Sequence, residues 1–169
     1  QKFDIIECGC VVQHVDYQSK LLRALLDVLK NNSFLKLGLY SELARQDIIE
    51  ANEYIKTKNL QPNNDDIKSF RDDVFSGKIE QISNLRNLGN FYTISECRDL
   101  CFHAKEHRYS IQEIQATLKS NELKFLGFLL ERPIKDLYTK NFPDDKKQIN
   151  LQNWAQFEDK FPNTFTRMY

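Results

Sequence analysis

Three stretches of this 169-residue chain carry side chains able to do chemistry. The first is residues 7–14, where Glu7, Cys8, Gly9, Cys10 and His14 follow an apolar run. Ligands of open α/β sheets bind outside the carboxyl ends of the strands, and this loop sits at such an end. The same residues also suit a plain strand-to-helix turn with a buried thiol or two. The second stretch follows another apolar run and holds Tyr40, Glu42 and Arg45. Tyr40 and Arg45 there are candidates to meet a substrate, Arg45 by gripping an acidic group bidentately. Arg45 also has the spacing for an i, i+3 ion pair with Glu42 on one helix face. The third is the phrase SECRDLCFHAKEH, with Cys97, Cys101, His103 and His107. Zinc takes both residue types. Cys101 and His103, however, stand two apart, roughly 200° around a helix, so the thiol pair and the imidazole pair face different ways. The spacing therefore argues against a metal centre. His103 or His107 could instead reach a substrate, since His moves protons near neutral pH.

The elements that must position these residues follow from periodicity. FDIIECGCVV (residues 3–12) is a continuous β-branched run, expected to be a strand covered on both faces as in a parallel sheet. Asp16 can cap a helix whose stripe is Leu22, Leu25, Leu26 and Leu29. SFLKLGLY (33–40) reads as the next strand, so the three form a βαβ crossover. Residues 41–109 change to helical patterning, with Asn64 or Asp65 and Ser95 as expected caps. Ser110 and Glu113 then form a capping box before another helix. KFLGFLLE (124–131) reads as a third strand closed by Pro133, and TFTRMY as the start of a fourth.

Composition sets the outer limits. The chain has 24 Lys+Arg against 24 Asp+Glu, so a strongly basic nucleic-acid face is not expected. The aromatic-rich tail, with Trp154, Phe157, Phe161 and Phe165, reads as core rather than as a stacking platform for bases. No run approaches the roughly 18 apolar residues of a membrane span. The 12 Phe and 7 Tyr are ample core material and exclude a wholly disordered chain. The four cysteines fall in two close pairs, which suggests reduced thiols and a cytoplasmic setting without a signal peptide. The opening on QKFDIIE, with no initiator Met, raises the expectation of a piece of a longer protein.

The first forty residues resemble the second half of a class I S-adenosylmethionine-dependent methyltransferase. The matching residues are Phe3-Asp4-Ile5-Ile6, then Gly9-Cys10-Val11-Val12-Gln13-His14-Val15-Asp16, the helix at 21–29 and the strand at 34–39. The phrases LKLGLYSELARQDIIEAN and SECRDLCFHAKEH resemble methyltransferases found fused to tetratricopeptide repeats in bacteria. The resemblance implies an α/β fold: the C-terminal half of a Rossmann-like methyltransferase sheet, strands 4, 5, 6 and the start of 7, with a large helical insertion. Residues 1–40 and 110–169 would belong to the α/β domain, and 41–109 would form a lid that caps the substrate. The implied cofactor is S-adenosyl-L-methionine, with Glu7, Cys8, Gly9 and His14 on its methionine side. Tyr40, Arg45, His103 and His107 would face the methyl acceptor, a small molecule or a peptide.

Two departures matter. All glycines are isolated (Gly9, Gly38, Gly77, Gly89 and Gly127), so no glycine-rich phosphate turn exists, and the acid that holds the ribose is also missing. Gln13 replaces the first of the family's two loop histidines. The expected function is therefore part of a methyltransferase, inactive alone, with no catalytic residue assigned. The alternative is a non-catalytic interaction or regulatory module completed by a partner chain. Either way, the exposed edge of the first strand should pair with a missing N-terminal half or with another copy.

Overall fold

The computed structural model describes residues 1–9, 11–102 and 106–169, leaving aside the side chain of Gln13. In chain order it shows β1 (Phe3–Cys8), a 3-10 turn at Val12–His14, α1 (Gln18–Val28), β2 (Leu29–Leu37) and β3 (Tyr40–Ser41). Next come α2 (Gln46–Thr57), α3 (Asn64–Phe75), 3-10 segments at Glu80–Asn87 and Gly89–Phe91, and α4 (Ile94–Cys101). The chain ends with β4 (Arg108–Tyr109), α5 (Ile111–Ser120), α6 (Arg132–Asn141), α7 (Leu151–Lys160) and a 3-10 turn at Pro162–Phe165. These elements form two compact units, Gln1–Ala44 with His107–Tyr169, and Arg45–Glu106.

In the first unit β1 and β2 are parallel, with Ile5 opposite Phe34, Ile6 opposite Leu35, Glu7 opposite Lys36 and Cys8 opposite Leu37. β3 and β4 form a second parallel pair of two residues each. The Rossmann-like sheet of four strands is thus overturned: the described residues hold two separate two-stranded ladders in a mainly helical chain. Two local causes are visible. Residues 124–131 run extended but join no ladder; Gly127, at φ +132°, bends them so that Phe125, Phe128 and Leu130 pack into an aromatic core. The tail closes on itself instead of extending, because Thr164 N and Oγ1 both donate to Phe161 O after Pro162.

The strand expected to be covered on both faces is not. Ile5 is 69% and Phe34 57% exposed on one face, while Ile6, Cys8, Leu35 and Leu37 on the other are half-buried. Val12, Leu39, Tyr109 and Ile114 form a small core against which Cys8, Leu21 and Leu37 pack. A larger core gathers Ile111, Phe128, Tyr138, Leu151, Trp154, Phe157 and Phe165. Tyr138 stacks on Trp154 at 3.7 Å between ring centroids, and Phe128 meets the indole edge-on at 5.4 Å. The tail aromatics are core, because helical spacing puts Trp154, Phe157 and Phe161 on one stripe of α7.

In the Arg45–Glu106 unit the described residues form helices and 3-10 segments and no strand. Its core joins Ile48, Ala51, Ile55, Ile67, Phe70, Val74, Ile82, Leu85, Phe91, Cys97 and Cys101. Two of its helices start on side-chain caps, one or two residues from the expected positions. Asn63, rather than Asn64 or Asp65, accepts from the N–H groups of Asp65 and Asp66, and Thr93, rather than Ser95, caps α4. In the other unit Tyr17, not Asp16, stands at the α1 N-cap without a side-chain bond, and Ser110 and Glu113 make the capping box of α5.

Candidate functional site

The parallel pairing of β1 and β2 brings both strand exits to one end. Gly38 N donates to Cys8 O at 2.9 Å, joining the exits just past the ladder. Buried Val12 and Leu39, each a few residues further on, pack with Tyr109 and Ile114 and anchor both loops. The anchored loops place the His14 ring nearly perpendicular to that of Tyr40, 6.2 Å between centroids. Tyr40 pairs with Arg108 across β3 and β4, so His107 lies one residue before Tyr40's partner. The His107 ring stands edge-on to Tyr109 at 4.4 Å. Burial, with Glu113 nearby, pushes the Tyr109 phenol up to about 12, so it stays neutral across physiological pH.

Three of the candidate residues, His14, Tyr40 and His107, thus belong to these exits or their flanking ladder. Glu7 and Cys8 diverge, because neighbours on a strand point to opposite faces. Glu7 lies exposed on the Ile5 side and pairs with Lys36 at 2.6 Å. Cys8 turns half-buried toward the small core. Gly9 has open space where a side chain would stand, which leaves its backbone approachable. Cys10 and His103 lie outside the described residues. Arg45 belongs to the helical unit, where it is buried and holds Glu106 bidentately, through Nε at 3.1 Å and through Nη2. That pair occupies much of its hydrogen-bonding fork.

Cys97 and Cys101 are fully buried one helical turn apart. The hydrogen bond between them holds Cys97 below the ordinary thiol range, against burial and with help from Arg71; the same bond, with burial, pushes Cys101 up. Among the described residues no group of three or more His, Cys, Asp or Glu is placed to hold a metal ion.

One polar cluster escaped the sequence analysis. Buried Glu158, on α7, accepts from Ser41 Oγ at 2.5 Å and from the Tyr169 hydroxyl at 2.6 and 2.8 Å. Burial pushes the Glu158 carboxyl up, partly offset by these two hydroxyls, and burial with Glu158 raises the Tyr169 phenol. Tyr169 N also donates to Leu39 O at 2.8 Å. The cluster therefore ties the last residue to the exit of β2. A signal was present in the sequence: Glu158 sits within the apolar stripe of Trp154, Phe157 and Phe161, where a carboxylate must find donors.

No protein-family model matches the chain. It is 27% identical over 139 residues to an uncharacterized protein of Synechococcus sp. (strain ATCC 27144 / PCC 6301 / SAUG 1402/1). The alignment takes in 75% of this chain and 32% of that protein, so the chain spans about a third of the length of the curated relative it matches. No helix among the described residues is long and apolar enough to cross a membrane.

Proposed function

We propose that these residues are part of an S-adenosylmethionine-dependent methyltransferase and supply the side of its site that faces the methyl group. The observation that carries this reading is the β1–α1–β2 unit, whose parallel strands end together and bring His14 against Tyr40. The motif resemblance of the first forty residues, stated on the same strand, helix and strand, supports it. S-adenosylmethionine supplies a methyl group on a sulfonium cation. The half-buried Tyr40 ring fits that chemistry, because aromatic faces attract cations. His14 orients the ring, and Val12, Leu39 and Tyr109 keep water from beneath the loops. An in-line displacement needs alignment more than acid–base groups, so the reading assigns no proton-transfer step to His14 or His107. Glu7, turned away and paired with Lys36, does not fit a cofactor contact.

The acceptor is proposed to be a small molecule or a peptide, in a cytoplasmic setting that keeps Cys8, Cys97 and Cys101 reduced. With no glycine-rich turn, the 169 residues should bind the cofactor weakly or not at all alone. Calorimetric titration with S-adenosylmethionine, on this chain and on the longer protein that contains it, tests the reading. Binding by the longer protein, weakened about tenfold by Tyr40→Ala, supports it; absence of binding in both overturns it.

The exposed Ile5 and Phe34 favour a second reading, a non-catalytic module completed by a partner. A tight protein partner without cofactor binding would select it.

A further inference from the structure

Residues 124–131 are an unused strand edge. They run extended, yet no backbone N–H or C=O from Lys124 to Leu130 meets a partner among the described residues. Inward, Phe125, Phe128 and Leu130 pack on the Trp154 core. Outward stand Lys124, Leu126, Leu129 and Glu131, with Leu126 61% and Leu129 74% exposed. Gly127 makes this division possible. At φ +132° it adds one residue, bulge-fashion, so that Leu126 and Gly127 both face out before Phe128 turns in.

The outward row reads basic, apolar, apolar, acidic, which is its own complement when reversed. Laid antiparallel on a second copy, Lys124 faces Glu131, Leu126 faces Leu129 and Gly127 faces Phe128. The Lys124–Glu131 pair and the Leu126–Leu129 pair each occur twice across the axis. The open backbone groups gain the ladder they lack.

We propose that residues 124–131 form a self-association surface, pairing antiparallel with the same segment of a second copy about a twofold axis between Gly127 and Phe128. Such a contact is isologous and closed, so it stops at two copies. One strand per copy buries less than the roughly 1,000 Å² of a stable interface, so the dimer is weak. The proposal does not depend on methyl transfer.

Sedimentation equilibrium of the 169-residue protein, from about 10 μM to about 1 mM, tests it. All variants carry Arg167→Gln, because Arg167 lies 3.6 Å from Glu131 in the same copy. A monomer–dimer equilibrium is expected. Lys124→Glu, which sets like charges together twice, should raise the dissociation constant about tenfold. Adding Glu131→Lys should restore it, and Leu129→Lys should abolish the dimer with the circular dichroism spectrum unchanged. A monomer at every concentration overturns the proposal. So does a dimer indifferent to these changes, or a loss by Lys124→Glu that Glu131→Lys does not repair.

Discussion

In the Arg45–Glu106 unit Ile67, Phe70, Val74, Ile82, Leu85 and Phe91 are fully buried, whereas in the other unit Phe3, Ile5, Phe34, Leu126 and Leu129 stand in solvent. The helical unit does expose Phe75 and Tyr92, but these rings lean on one another at 5.5 Å, and the Arg71 guanidinium lies 5.8 Å from the Phe75 ring. A helix satisfies its own backbone, so three helices and two 3-10 segments need only bring their stripes together. A strand needs neighbours along its edge and layers on its faces, and two-stranded ladders supply few of either. Among the described residues the four most exposed large apolar side chains, Ile5, Tyr17, Leu126 and Leu129, all lie outside the helical unit.

Substitutions can break or sharpen that contrast. The largest effect is expected at the aromatic core that compensates for the small ladders. Trp154→Ala removes the stack on Tyr138 and the indole bond to Gln148 O, and should cost about 4 kcal/mol in urea unfolding. In the helical unit, Arg45→Ala removes the bidentate grip on the Glu106 carboxylate, whose side chain is 9% exposed, and should cost about 3 kcal/mol; joint replacement, Arg45→Met with Glu106→Leu, should recover most of it. A single change no worse than the double would mean that the pair is not shielded from water.

Glu158 offers a pH test. Its carboxyl is raised above the ordinary 4.5, so its stabilising contribution is full below that value and is lost as pH rises through the raised one. Glu158→Gln keeps an acceptor for Ser41 and Tyr169 but removes the titration. The variant should show a flatter stability profile from pH 4 to 8 and be the more stable of the two at pH 7. An unchanged slope would contradict the burial argument. The smallest effect belongs to the open face: Ile5→Thr and Phe34→Thr should each change stability by less than about 0.5 kcal/mol. A larger loss would show that the face is covered in solution.

Much of the local structure was legible. The β1–α1–β2 order, the capping box at Ser110 and Glu113, and the buried tail aromatics all follow from patterns within ten or so residues. The sheet expected around them was not. KFLGFLLE has strand composition, but composition carries no information about whether a neighbour arrives, and Gly127 and the Trp154 core claim its inward side chains. At the site, the loop order set His14 and Tyr40 on successive exits, and only the parallel pairing brought their rings together. Glu7 illustrates the converse: adjacent to Cys8 in sequence, it belongs to the opposite face. Ser41, Glu158 and Tyr169, more than a hundred residues apart at their widest, could be joined only by folding.

By itself, the sequence determined which segments would be helical, where the helix after Ser110 would begin, and which aromatic residues would be buried, because those depend on periodicity and on side-chain-to-backbone bonds a few residues long. Tertiary structure decided how many strands would pair, which candidate residues would meet, and which apolar side chains would be left in water. Those outcomes rest on contacts between distant segments, whose formation depends on competing partners that no local pattern records.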